Sequence, residues 1–395
     1  MINALYKKIT LILSLLILNN YFLLILNSND LIIKINFILF FLSIFFFYFK
    51  EFKKNIYLKI FFVFIIILTL GTPATDWDPR SIYLFHAKRI FYDGSLFSII
   101  DNYASFSHNE YPNLPSAFVS SLATLIGHWN EVFPKLSFAL MFFPPLLLFS
   151  TFMDEKKYII FLSIVLFLIG HFIYTGWADG LIAIYFVTSS FLMYFLTITE
   201  NEYFKKNFIS NFLAICFFII LTLIKNEGAV LLILIFISTS IVNIINGRIK
   251  RNVLNILILL VSFIPIIFWK IFCYLNNLGH EFVHSETLDN FILRSSDFNN
   301  FVQIFYFLIF NEKFLISLFF LIASFIFFKN KDLLNFVLII LISYLVILTF
   351  IYLSTPNDFY FQLNSTAARI IKPLSLFAGV FGLYNLKFSN KKTLI

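Results

Sequence analysis

The sequence predicts an all-α protein that crosses a membrane many times. Of its 395 residues, 60% are apolar and only 13% charged, and mean hydropathy is +0.90. A soluble globular chain carries about 25% charged residues to wet its surface. The apolar residues gather in runs long enough to cross a hydrocarbon core of about 30 Å. Runs this continuous are helices, because only helices and closed barrels satisfy their backbone in lipid. A soluble enzyme, a nucleic-acid binder and a disordered scaffold are excluded together. The 58 phenylalanines need no functional reading, since lipid-facing helices accept any bulky apolar residue.

About twelve runs qualify as spans: 9–26, 31–49, 56–72, 132–153, 158–175, 180–199, 208–224, 229–246, 253–275, 314–328, 333–353 and 370–386. The chain shows no internal repeat, Pro- or Gly-rich linker or separate soluble domain. Lys7 and Lys8 before an apolar stretch resemble a signal peptide, but no small-residue cleavage site follows and Asn19-Asn20 interrupts the run, so this is read as an uncleaved span. Cys216 and Cys273 lie inside apolar runs and fit neither a metal pattern nor a disulfide framework.

The net charge of +8 reports orientation, because the basic residues lie mainly between the runs. Lys7, Lys8, Lys50, Lys53, Lys54, Lys59, Lys156, Lys157, Lys205, Lys206, Arg248, Lys250, Arg251, Lys329, Lys331, Lys387, Lys391 and Lys392 all fall on one side if the spans alternate. That side is expected to be the cytoplasm. The opposite side receives the long connection 73–131, a second at 276–313, and short ones at 175–180, 224–228 and 354–366.

The first long connection opens with Asp76-Trp77-Asp78-Pro79-Arg80. Asp before Pro is a helix-start signature, with Asp78 as N-cap and Pro79 at the first helical position. The helix should run to Asp93 and stop at Gly94. Ile82, Tyr83, Phe85, Ala87 and Ile90 give it apolar area, and Arg80, His86, Lys88 and Arg89 give it charge, as suits a helix lying at a membrane surface. A second such element is expected over 114–129, after His108-Asn109-Glu110-Tyr111-Pro112. Asp76 and Asp78 fit simple capping and solvation. They also fit a sharper reading, since carboxylates at the end of an apolar span are disfavoured unless they face water or a cation. There a carboxylate could take a proton from an acceptor hydroxyl or hold a divalent ion through oxygen.

These places together resemble the GT-C superfamily of membrane glycosyltransferases, which includes the protein mannosyltransferase and lipid A aminoarabinose transferase families. The likeness rests on the acidic pair with its surface helix (Trp77-Asp78-Pro79-Arg80 through His86-Ala87-Lys88) and on the acid-Tyr-Pro stretch Glu110-Tyr111-Pro112 with His108 and Pro115. It rests also on Trp177-Ala178-Asp179, on Lys225-Asn226-Glu227-Gly228 and on Ser365 through Arg369. It runs from about residue 56 to the end as scattered short motifs, which makes 1–50 an added hairpin. It implies a GT-C-like fold and inverting transfer of a sugar from a polyprenyl-phosphate donor to a glycan, lipid or protein acceptor. Asp78 would be the general base, with Asp76 as the alternative base or a ligand to Mg or Mn. Lys225, Arg369 and Arg80 would hold the donor phosphate; His108, Glu110, Asp179 and Glu227 would bind acceptor and substrate. Proline follows Asp78 where the better-known members often carry a second acid, which leaves a metal requirement open. The partners implied are lipid-linked sugar and membrane lipids, with no nucleic acid. The Phe/Ile/Asn/Lys bias of a compact chain points to a bacterial cytoplasmic membrane, with the site facing the exterior.

Blander and rival readings stand beside these. Lys225 and Glu227 fit an outer turn capping two helices, Arg369 a juxtamembrane anchor, Asp179 an N-cap beside an interfacial Trp177, and His171 a packing residue. His280-Glu281-Phe282-Val283-His284 matches the two-His, one-Glu pattern of zinc proteases, although its flanks are loop-like and a third ligand would have to come from Glu286 or Asp289. A membrane polysaccharide polymerase or ligase would use the late loop with His280, His284 and Arg294. A transporter would need buried charge at the midplane or repeated halves, and the spans carry little charge beyond Lys34 and Lys270.

Overall fold

The computed structural model describes residues 2–50, 55–96, 107–198, 208–248, 250–278 and 287–386, and among the described residues there is no strand. The first helices are α1 (Ile2–Ile25), α2 (Asp30–Lys50), α3 (Ile56–Gly71), a π-helical turn (Pro79–Leu84) running into α4 (Phe85–Asp93), α5 (Leu114–Ile126), α6 (Leu136–Phe149), α7 (Glu155–Ile169) and α8 (Ala178–Met193). Then come α9 (Phe208–Ile224), α10 (Asn226–Ile245), α11 (Lys250–Leu275), α12 (Thr287–Ser295), α13 (Phe298–Ile309), α14 (Glu312–Phe327), α15 (Lys331–Ser354), α16 (Phe359–Ile370) and α17 (Lys372–Asn385).

Eight spans among the described residues are long and apolar enough to cross a membrane: α1, α2, α7, α8, α10, α11, α15 and the joined pair α16–α17. A ninth is available if α13 and α14, bent by 74° at their junction, count as one. The chain is thus an all-helical polytopic membrane protein. All twelve expected runs fall on helices, but α3, α6 and α9 are short. The 14 residues of α6 rise only ~21 Å at 1.5 Å each, and Pro144 and Pro145 lie inside it.

Helix α8 is the axis. Ala178–Ile198 is buried along its whole length, packed by α6, α9, α10 and α17, as expected of a helix apolar on every side. Against α17 lie α7 and α14. The outer helices turn large apolar side chains outward, among them Phe45, Phe268 and Phe319, as lipid contact allows. Helix α1 packs on α2, α5, α6 and α9. The Asn19-Asn20 interruption does not break it: Asn19 donates to Asn36 Oδ1 at 2.6 Å, and Asn20 and Asn36 donate to the Leu16 carbonyl.

Three local expectations change. The second surface helix is no surface helix, because every residue from Leu114 to Thr124 of α5 is buried, enclosed by α1, α2, α4 and α6. Three of its four hydroxyls bond inside, Ser116 to the Tyr83 carbonyl and Ser121 and Thr124 to carbonyls one turn back, while the buried Ser120 hydroxyl has no partner among the described residues. Arg369 belongs to no connection before the last span: α16 begins at Phe359, so Arg369 sits within the span Phe359–Asn385. The connection 276–313 carries two helices of its own, α12 and α13. By contrast Gly94 ends α4 as expected, with φ of 68°.

Helices α9 and α10 are joined by Lys225 alone and pack on each other. A Cβ on Gly228 would overlap the Leu221 carbonyl oxygen, so only glycine permits this reversal. Gly228→Ala is expected to cost about 1–3 kcal/mol in thermal unfolding of the detergent-purified protein. Gly71→Ala, where a Cβ meets nothing within 4 Å, should leave the midpoint unchanged.

Candidate functional site

Four parts of the chain bring five charged side chains into one line. Asp78 comes from the turn before the π-helical segment, Asp179 from the first turn of α8, Lys225 and Glu227 from the α9–α10 reversal, and Arg369 from the end of α16. Arg369 Nη2 donates to Asp78 Oδ2 and, at 3.2 Å, to Asp179 Oδ2. Lys225 Nζ donates to Asp179 Oδ1 at 3.3 Å and pairs with Glu227 Oε1 at 2.9 Å. Signs alternate along the row, acid, base, acid, base, acid. Asp78, Asp179 and Lys225 are buried.

Asp78 does not cap a helix. Its backbone is already helical (φ −58°, ψ −48°), no backbone N–H reaches its side chain, and the carboxylate turns to Arg369 instead. Pairing with a guanidinium joins two ionised groups, whereas a capping bond would join the carboxylate to a neutral N–H. Burial pushes the Asp78 carboxyl above the ordinary carboxylate range, against the pull of Arg369. Burial works against charge on Lys225 as well, yet Asp179 and Glu227 hold its ammonium well above the usual lysine range.

A shell of aromatic rings fixes this row. Asp76 lies outside it and accepts from Trp177 Nε1 at 2.9 Å. The Trp177 ring in turn carries the Arg369 guanidinium 4.3 Å from its centroid, a cation–π contact. Trp177 is therefore a buried platform rather than an interfacial anchor. Lys225 stands 5.7 Å over the Tyr111 ring, and His108 stacks on the other side of the turn at 4.7 Å. His108 Nδ1 lies 3.6 Å from Glu110 Oε1, too far for a hydrogen bond. The Glu110 carbonyl receives Trp269 Nε1 at 3.0 Å and Lys270 Nζ at 3.3 Å.

Two expected site residues lie apart from the row. Arg80 is exposed on the outer side of its helix and takes no part in the row; position i+2 from Asp78 faces away on a helix. Asp76 is engaged with an indole, and among the described residues no three His, Cys, Asp or Glu side chains come together for a metal. His86 is not part of a charged surface face: it is buried, its Nε2 2.9 Å from the Ser107 carbonyl oxygen, and burial lowers its pKa to about 4. The 280–284 motif lies outside the described residues.

Sequence reasoning counted Tyr83 as apolar area and missed its place. Its hydroxyl is buried without a hydrogen-bond partner and feels Lys225, Asp179, Asp78 and Glu227. Burial holds the phenol well above its usual range, so it stays an O–H donor beside the row. Its position on the same turn as Asp78 was the available signal. Glu110 Oε1, Glu227 Oε2 and Arg369 Nε are likewise buried without hydrogen bonds, and such groups are rare unless a ligand or water completes them.

No protein-family model, curated protein or solved structure matches the chain, which leaves its chemistry to be read from these side chains. Lys225→Met would leave Glu227 without its partner and Asp179 with Arg369 alone, and should destabilise the protein by about 3–5 kcal/mol, whereas Arg80→Ala should change stability by less than about 0.5 kcal/mol. Both are read from chemical unfolding in detergent. His86 gives a pH signature. Its folded pKa is lowered from 6.5 to about 4, so the unfolded chain binds the extra proton first. The stability it contributes is complete above pH 6.5 and is lost as pH falls towards 4; His86→Gln should flatten that limb of a stability–pH profile.

Proposed function

We propose that the protein is a GT-C-type glycosyltransferase of twelve spans, moving one sugar from a polyprenyl phosphate to a hydroxyl or amine acceptor at the extracytoplasmic face of a bacterial cytoplasmic membrane. The observation that carries this reading is the buried Asp78, a carboxylate of raised proton affinity paired to Arg369 at the mouth of the bundle. A general base needs proton affinity above that of an ordinary aspartate, and burial is the usual means. Asp78 takes the proton from the acceptor as its oxygen or nitrogen attacks the anomeric carbon. The bond from that carbon to the phosphate oxygen then breaks, and the phosphate leaves with the negative charge.

The remaining side chains have matching capacities. Arg369 keeps one buried, unused N–H at Nε, a donor for the leaving oxygen, where fixed dipoles in a dry site lower the barrier most. Lys225 lends positive charge, although it is shared with two acids. The unfilled acceptors on Glu227 and Glu110 and the Tyr83 donor suit the hydroxyls of a sugar, with His108 and Asp179 around them. Sidedness follows from the Lys/Arg bias of the connections. A transporter draws on the 74° break between α13 and α14 and on Arg369 inside the last span; the other four charged groups of the row, however, lie at helix starts or in the connections between spans.

Transfer from radiolabelled polyprenyl-phosphate sugar in membranes tests the reading. Asp78→Asn should lose about 10²- to 10⁴-fold in rate, and Asp76→Asn less, through the loosened Trp177 platform. The base works only when deprotonated, so wild-type activity should fall as pH drops through a value above 3.8, and Asp78→Asn should lack that limb. Wild-type rates in both variants, with activity abolished by His280→Ala, would remove the assignment. Cysteine at exposed position 80 should label from outside intact cells while cysteine at 156 does not; the reverse inverts the topology.

A further inference from the structure

A hollow of about 250 Å³ lies beside the charged row, between the junction of α16 with α17 and the start of α14. Asn311, Glu312, Lys313, Ala368, Lys372 and Ser375 line it. Lys372 is only 9% exposed, and its ammonium sits 4.3 Å above the Phe172 ring. Lys313 Nζ stands 5.6 Å from the Phe167 ring and lies beside Gly170, where an added Cβ would meet it at an ordinary contact of 3.5 Å. Neither lysine has a carboxylate within ion-pair reach among the described residues. Glu312 also borders the hollow but is exposed and pairs with neither. His171 feels both ammonium groups.

The contrast with the row is what matters. Arg369 and Lys225 are outnumbered by three acids, whereas the two lysines in the hollow have rings for company and no carboxylate in ion-pair contact, with Glu312 at the rim and Asp179 acting on Lys372 only from a distance. A nearly buried ammonium is costly unless paired, and two facing one space repel each other. The N-terminus of α14, a helix of 16 residues with Asn311 as its cap, opens at the same place and adds the positive end of its dipole.

We infer that this hollow binds a phosphate-type oxyanion, with Lys372 and Lys313 as its two ammonium donors. The anion comes either as a lipid phosphate headgroup or as free phosphate. The inference stands apart from the transferase reading, since it uses none of the residues of the charged row.

Native mass spectrometry of the full chain in detergent, with phosphatidic acid and phosphatidylcholine as probes, tests it, together with thermal stabilisation by inorganic phosphate. Wild type should retain phosphatidic acid about tenfold over phosphatidylcholine, as expected for hydrogen bonds to a charged group. Lys313→Gln and Lys372→Gln should abolish that preference, and Lys313→Arg should keep it. If inorganic phosphate instead stabilises wild type and not Lys313→Gln, the anion is free phosphate and the site still stands. Absence of both effects in wild type, or their persistence in Lys313→Gln and Lys372→Gln, overturns the site. Should Lys372→Gln fail to fold, half-exposed Lys313 decides alone.

Discussion

Burying a lone charge in a dry helical bundle is prohibitive, and this protein buries several in a row. Asp78, Arg369, Asp179, Lys225 and Glu227 are tolerable only because each touches a neighbour of opposite sign. The net worth of such pairs is small or even unfavourable against an apolar core, while losing one member is severe. Their consequence is geometric. Helices α8 and α16, the α9–α10 reversal and the turn before α4 meet in one register, because any other register leaves a charge unpaired.

The apolar frame makes that register reachable. Helix α8 is enclosed on all sides, so its first turn delivers Asp179 to a fixed point. The one-residue reversal at Lys225, allowed by Gly228, brings an extended backbone (φ −160°, ψ 159°) and two charges to the same level. Aromatic rings do the fine placement. Trp177 holds Arg369 from below while Asp76 holds Trp177, and Tyr111 faces Lys225. The rings accept a cation without adding another negative charge to a row that already carries an excess.

Much of this was legible in the amino-acid order, and the boundary of legibility is physical. Hydropathy located the long apolar helices, because lipid and core both demand apolar side chains, but not α12, α13 or α16, which lie in stretches that read as connections. Counting span ends put Asp78, Asp179, Lys225 and Glu227 at one level, and they do meet; Arg369 joins them from inside the last span, where the count did not put it. Their pairings did not follow, since helix rotation is invisible to hydropathy; the same blindness set Arg80 on the outside and Tyr83 on the inside. Asp78 read as a cap because Asp-Pro usually is one, and a long-range cation overrode the local habit. Helix α5 read as amphipathic at the surface because its serines and threonine look polar in sequence, although three of these four hydroxyls bond to carbonyls and all four are buried in the core. Lys313 and Lys372 drew no notice, being single lysines in separate segments with nothing local to link them.

One feature of the charged row bears on how the chain is made. Arg369 is 190 residues downstream of Asp179 and 291 downstream of Asp78. While synthesis proceeds, Asp179 meets Lys225 long before its second cation exists, and Asp78 has no ion-pair partner among the described residues until α16 emerges. The nascent bundle must therefore keep these carboxylates wetted or protonated through most of translation. Arrival of α16 is the step that dries the site, so the final insertion event also completes its electrostatics.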